Sequence, residues 1–233
     1  MNKKNSWLDA YEIKARLIAA ALCAVPGVVL YHYLLQAHFS GLLTDLGHVR
    51  LLGYLTIEAS ATYAIMQLNN RLVGRLLQDK IFQGGRMPTT QLLMPDDPTL
   101  SLQTKRDIAK KFKKDFKKDL PLFDPGMTES ERRQRISELM VHIRHATRSD
   151  LLVKNHNIEY GFVRNLCGGA FAAAVISAIS ATIFGLVAWN KGAFAVSLCL
   201  LAIYGLLAIA SSTLIRYFGV TYARVLLEQY LCD

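Results

Sequence analysis

The segment GGAFAAAVISAISATIFGLVAWNKGAFAVSLCLLAIYGLLAIASSTLI, residues 168–215, carries one charged side chain, Lys191. Its two halves, 168–189 and 193–215, each exceed or approach the roughly 20 mostly apolar residues that a helix needs to cross a bilayer. Asn190, Lys191 and Gly192 separate them, so the pair reads as a tight helical hairpin. Two earlier stretches have the same character. Residues 17–35 are uncharged, and residues 51–68 contain one acid, Glu58. The expectation is an all-α membrane protein with four transmembrane helices and a helical cytoplasmic insert between the second and third.

The first apolar stretch follows a mixed-charge segment, residues 9–16, and no small-residue cleavage site comes after it, so it reads as a retained helix. Pro26 lies inside it. A proline is tolerated in a membrane helix when a neighbour satisfies the carbonyl that it frees. Four crossings put the N-terminus, the insert and the C-terminus on one side. That side would hold 25 of the 27 Lys and Arg, leaving only Arg50 and Lys191 on the other. Basic residues concentrate in the cytoplasm, so both termini and the insert are expected there, in a multi-pass membrane protein. The four cysteines show no CxxC or other metal spacing, and no disulfide framework is implied.

The expected organisation is 1–69 for the N-terminal segment and helices 1–2, and 70–166 for the basic helical domain. Residues 167–233 follow, with helices 3–4 and a C-terminal cytoplasmic helix. The insert holds 19 Lys and Arg against 12 Asp and Glu. Residues 69–82 continue the second span inward, and 84–101, GGRMPTTQLLMPDDPTLS, read as a loop. Ser101 or Thr104 caps a helix that runs to Leu120. Thr128, with Glu131 three residues later, is a capping box for a helix over 128–146. A last helix begins near Asn155. In the stretch IAKKFKKDFKKDL, residues 108–120, Ile108, Phe112 and Phe116 share one narrow face that should pack on the 128–146 helix. The lysines, among them Lys113, Lys114 and Lys117, face away.

No enzyme signature is present: there is no Walker loop, no GxSxG and no HExxH. His142, His145 and His156 lack the thiols or carboxylates of a metal site, and neither metal nor cofactor is expected. Residues 142–165 are more informative. Arg144, Arg148, Lys154 and Arg164 supply cations, Asn155 and Asn157 can read a base edge, and Tyr160 can stack on a base. The competing reading is a juxtamembrane helix with its basic end at anionic lipid headgroups. Arg86, after Gly84 and Gly85, can meet a phosphate or sit in a plain loop. Gly169, Ala173, Ser177, Ala181 and Gly185 recur every fourth residue and form a small-residue face for close helix packing. Glu58, with Thr62 on its face, is a candidate for a water-lined cation path, or a residue paired with a polar side chain of another span.

Several blocks carry a resemblance: WLDAYEIKARL (7–17), RMPTTQLLMPDDPTLS (86–101), IRHATRSD (143–150) and NIEYGFVRNL (157–166). In order and spacing they resemble a family of bacterial four-span membrane proteins found in anti-phage defence loci, the Hailong-type membrane effectors. The resemblance implies a homo-oligomeric ion channel whose cytoplasmic part binds a short DNA oligomer made by a partner nucleotidyltransferase; a tetramer is the favoured assembly, the oligomer number being left open by the sequence. The bound oligomer would keep the channel shut. Its destruction would open the pore and depolarise the infected cell. The alternative is a non-channel scaffold whose basic domain binds anionic lipid or a protein partner.

Overall fold

Both halves of the apolar hairpin are helices, joined by a turn at 188–190, two residues before the position the sequence suggests. The computed structural model describes residues 11–35, 60, 64, 72–83 and 86–232, and the regular structure among them is helical. Helix α1 (Ile18–Leu30) is flanked by π-helical turns at Glu12–Leu17 and Tyr31–Leu35. Then come α2 (Gly74–Ile81), α3 (Pro88–Gln91), α4 (Leu102–Phe116) and α5 (Glu129–Ala146). Helix α6 (Leu151–Thr182) continues into a π-helical segment, Ile183–Val187, and α7 spans Lys191–Cys232. Among the described residues three stretches are long and apolar enough to cross a membrane: Glu12–Tyr33, Leu151–Val187 and Lys191–Cys232. They cover most of the first and third expected spans and all of the fourth. The second, 51–68, lies outside the described residues, together with Glu58 and Thr62.

The hairpin turn is built by two residues. Trp189 adopts a left-handed conformation, φ 50°, which stops the preceding helix. The Asn190 amide then bonds the Phe184 carbonyl at 3.0 Å. The Asn190 side-chain oxygen accepts from the Ala193 amide at 3.0 Å and caps α7. Lys191 and Gly192, expected in the turn, already belong to the helix.

The described residues fall into two compact units, Met1–Leu77 with Gly161–Ser212, and Gln78–Tyr160 with Thr213–Asp233. In the first, Cys23 of α1, Ala170 and Ala173 of α6 and Tyr204 of α7 form a core. The small-residue face does pack: Gly169, Ala173, Ser177 and Ala181 are buried. A Cβ on Gly185 would lie 2.9 Å from the Phe194 ring. A Cβ on Gly168 would meet the Gly74 amide nitrogen, also at 2.9 Å, so the backbones of α6 and α2 touch there. The Asn165 side-chain amide donates to the Ala15 carbonyl at 2.8 Å. Pro26 cannot donate to the Leu22 carbonyl four residues back, and the Tyr204 hydroxyl donates to that carbonyl instead.

The second unit has a larger core. Ile108 and Phe112 of α4 pack with Ile136, Met140 and Ile143 of α5, all fully buried. The stripe expected to face 128–146 does so, and it has a second partner that the sequence did not reveal. Ala223, Leu226, Leu227 and Tyr230, near the end of α7, complete the same core. The Phe116 ring stacks on Tyr230 at 6.4 Å, and the Tyr230 hydroxyl donates to Asp115 at 2.9 Å. Each large apolar side chain buried in this way contributes roughly 1.5–3 kcal/mol. The insert expected at 70–166 is thus a unit of Gln78–Tyr160 completed by the C-terminal segment.

Helix limits in this unit follow their caps. Ser101 accepts from the Thr104 amide at 3.0 Å. Thr128 and Glu131 form the expected capping box. Helix α4 ends at Phe116, four residues before the expected Leu120, because Lys117 is left-handed with φ 55°. Helix α6 starts at Leu151 rather than near Asn155, because the Asp150 carboxylate accepts from the Val153 amide at 2.7 Å. The loop 84–101 contains the single turn α3.

Candidate functional site

The polar chemistry of the second unit is organised around α3 and the turn after it. Lys105 is completely buried, and its ammonium donates to the Met94 carbonyl at 2.6 Å and the Asp97 carbonyl at 2.5 Å. Burial lowers its pKa, opposed by the charges of Asp97 and Asp96. Burial also acts to raise the pKa of the Asp97 carboxyl. Hydrogen bonds from the Thr99 side chain and backbone and from Gln91, with the Lys105 charge, outweigh it and hold the group below its usual range. Gln91 in turn accepts from Arg133, which is 7% exposed and also binds Glu129 at 2.6 Å. Hydrogen bonding from Arg133, then its charge, hold Glu129 below the ordinary carboxylate range. Glu129, Arg133, Gln91, Asp97 and Lys105 are therefore one continuous line of alternating donors and acceptors.

Arg144 reaches the same turn from the other end of α5, donating to the Thr89 hydroxyl at 3.2 Å. Arg133 and Arg144 are eleven residues apart, about three helical turns, and so lie on one face. Between them they hold α3.

The line from Glu129 to Asp97 forms part of one wall of a cleft of about 700 Å³. Phe82, Pro88 and Leu92 give it an apolar floor, and Lys80, Arg86 and Arg216 add cations. Arg216 is positioned by a 3.4 Å hydrogen bond to the Ile81 carbonyl, at the end of α2. Gly219 lets α7 approach this floor: a Cβ there would lie 3.3 Å from both Phe82 and Pro88.

The residues expected to bind nucleic acid are dispersed over the chain. Arg144, Arg148, Lys154 and Asn155 are exposed around the corner made by the end of α5, the 3-10 turn Thr147–Ser149 and the start of α6. Asn157 is half-buried. Tyr160 is 7% exposed, its ring parallel to Tyr222 at 6.2 Å and its hydroxyl donating to Gln78 at 3.1 Å. A base could stack on it only by displacing those neighbours. Arg164 is half-buried and belongs to the first unit. Lys113 and Lys114 are exposed on α4 and Lys117 is exposed at the turn that ends it, with Lys113 paired to Asp119 at 3.0 Å. Arg86 lines the cleft. His142 rests on the Phe116 ring at 5.0 Å and contacts Lys118, while His156 pairs with Glu159 at 3.0 Å.

Sequence reasoning missed the cleft. Lys80, Gln91, Asp97, Glu129, Arg133 and Arg216 come from four separate segments, and of the cleft's cations the sequence singles out only Arg86. Compared with protein-family models, curated proteins and solved structures, the chain matches none.

Proposed function

We propose that the chain is a membrane effector of anti-phage defence, a homo-oligomeric ion channel controlled by a short DNA oligomer bound to its basic unit. In this reading a partner nucleotidyltransferase supplies the oligomer, which holds the ion path shut. Loss of the oligomer opens the path and depolarises the infected cell. The resemblance of the four sequence blocks suggests this reading. The observation that supports it most directly is α7. Its last residues are part of the core of the basic unit, while its earlier residues form a helix apolar enough to cross a membrane. A ligand that reshapes that core acts on the same helix, and it biases the gate only by its difference in affinity for the two states.

The corner carrying Arg144, Arg148, Lys154 and Asn155 is the surface assigned to the oligomer. The test is current through liposomes containing the purified chain. Ion flux is expected without oligomer, with suppression on its addition and an affinity that falls steeply with salt. Arg148→Ala is expected to weaken suppression about tenfold. Absence of flux from folded protein in every ligand condition would overturn the reading.

Exposed Val141, Leu151 and Leu152 lie among these same basic residues and favour a second reading, a scaffold that docks on anionic membrane. Binding of the protein to anionic vesicles free of nucleic acid, without any flux, would select it.

A further inference from the structure

The cleft between α2, α3, the start of α5 and α7 is separate in its chemistry from the corner assigned to the oligomer. Its lining carries four cations, Lys80, Arg86, Arg133 and Arg216, and three carboxylates, Asp96, Asp97 and Glu129. Arg133 is committed to Glu129 and Gln91. What remains is a net charge near +1, Lys80, Arg86 and Arg216 against Asp96 and Asp97, with Arg86 close enough to Glu129 to lower its pKa. Such a lining suits one anionic group, while its carboxylates disfavour a run of phosphates. Its volume of about 700 Å³ falls in the range of small-molecule sites, roughly 300–1,000 Å³. Phe82, Pro88 and Leu92 supply apolar lining beside hydrogen-bond acceptors.

We propose that this cleft binds a nucleoside monophosphate. The phosphate sits against Lys80, Arg86 and Arg216, where charge-assisted hydrogen bonds are strong and guanidinium groups can bind two oxygens at once. The base lies on the apolar floor. Its exocyclic amino or ring N–H donors face the Asp96 and Asp97 carboxylates, which accept hydrogen bonds only. A base rich in donors is therefore preferred over thymine. Arg133 and Gln91, bonded to each other, hold this wall in place.

The experiment is equilibrium dialysis or calorimetry on the full-length purified chain in detergent. The probes are the four deoxynucleoside 5′-monophosphates, the matching nucleosides and inorganic phosphate. The expected result is saturable binding of a purine or cytosine monophosphate, with the nucleoside at least tenfold weaker and inorganic phosphate weaker still. Arg86→Ala and Arg216→Ala should each weaken binding about tenfold. Both side chains are exposed, so the variants should keep the parent's melting temperature, which is measured alongside. Asp97→Asn should change the order of preference among bases. Three outcomes overturn the proposal: no monophosphate binding by the folded chain, binding undiminished in both arginine variants, or inorganic phosphate binding as tightly as any nucleotide. None of these depends on whether a DNA oligomer controls ion flux, which the liposome measurement decides on its own.

Discussion

The hydroxyl of Tyr204 stands in for the backbone amide that Pro26 lacks, and this can be tested by a double-mutant cycle. Tyr204→Phe removes only the donor and leaves the Leu22 carbonyl facing an apolar interior among α1, α6 and α7. An unsatisfied buried polar group costs about 1–3 kcal/mol. Interhelical hydrogen bonds measured in membrane proteins fall lower, averaging about 0.6 and reaching about 1.7 kcal/mol. The expected cost is therefore about 1 kcal/mol, a fivefold shift in the unfolding equilibrium. Pro26→Ala restores an N–H four residues after Leu22 and closes the ordinary helical hydrogen bond. In that background Tyr204→Phe should cost almost nothing, giving a coupling energy of about 1 kcal/mol. The assay is reversible unfolding of the full chain in mixed micelles titrated with dodecyl sulfate. Equal costs of Tyr204→Phe with and without Pro26→Ala would refute the substitution of hydroxyl for amide.

Three further outcomes are expected. Leu227→Ala, at a fully buried site in the core shared by α4, α5 and α7, should destabilise the basic unit by about 2–5 kcal/mol in a denaturant melt followed by circular dichroism. Gly168→Ala places a methyl 2.9 Å from the Gly74 backbone nitrogen. Neither backbone can yield by a side-chain rotation, and the thermal midpoint of the chain should fall by an amount equivalent to about 1–3 kcal/mol. The carboxyl pKa of Asp97 is lowered on balance. Those of Glu129 and Glu131 are lowered too, Glu131 through hydrogen bonds from the Thr128 side chain and backbone. A depressed carboxyl pKa stabilises the fold above its unfolded value and is lost as pH falls through the folded one. The melting temperature should therefore hold through neutral pH and drop below about pH 4. A melting temperature unchanged down to pH 3 would contradict the hydrogen bonding around these groups.

What could be read from the sequence depended on how local the cause was. The capping box at Thr128 and Glu131 is contained in four residues, and it was legible. The apolar stretches were legible because bilayer thickness sets their length whatever they pack against. Asp150 was overlooked as a cap because the Asn155 region offered a rival start. The early stop of α4 depends on one lysine accepting a left-handed conformation, which no lysine advertises. The role of the last turns of α7 was out of reach. Ala223, Leu226, Leu227 and Tyr230 have the spacing of any buried helical face, and only the fold shows that their partners lie on α4 and α5. The candidate site divides the same way: the exposed cations at Arg144 and Arg148 were visible as a local cluster, whereas the cleft assembles residues as far apart in sequence as Lys80 and Val220.

The two arginines that hold α3 bear on how tightly the cleft can bind. A loop rich in proline and polar residues ordinarily loses conformational freedom when a ligand fixes it, and that loss is subtracted from affinity. Here Arg133 fastens Gln91, Arg144 fastens Thr89 and the Lys105 ammonium gathers two carbonyls of the following turn. The wall is preorganised during folding, before any ligand arrives. A guest in the cleft meets a surface whose ordering entropy has already been spent by the core, so even a small molecule with few contacts can be held there.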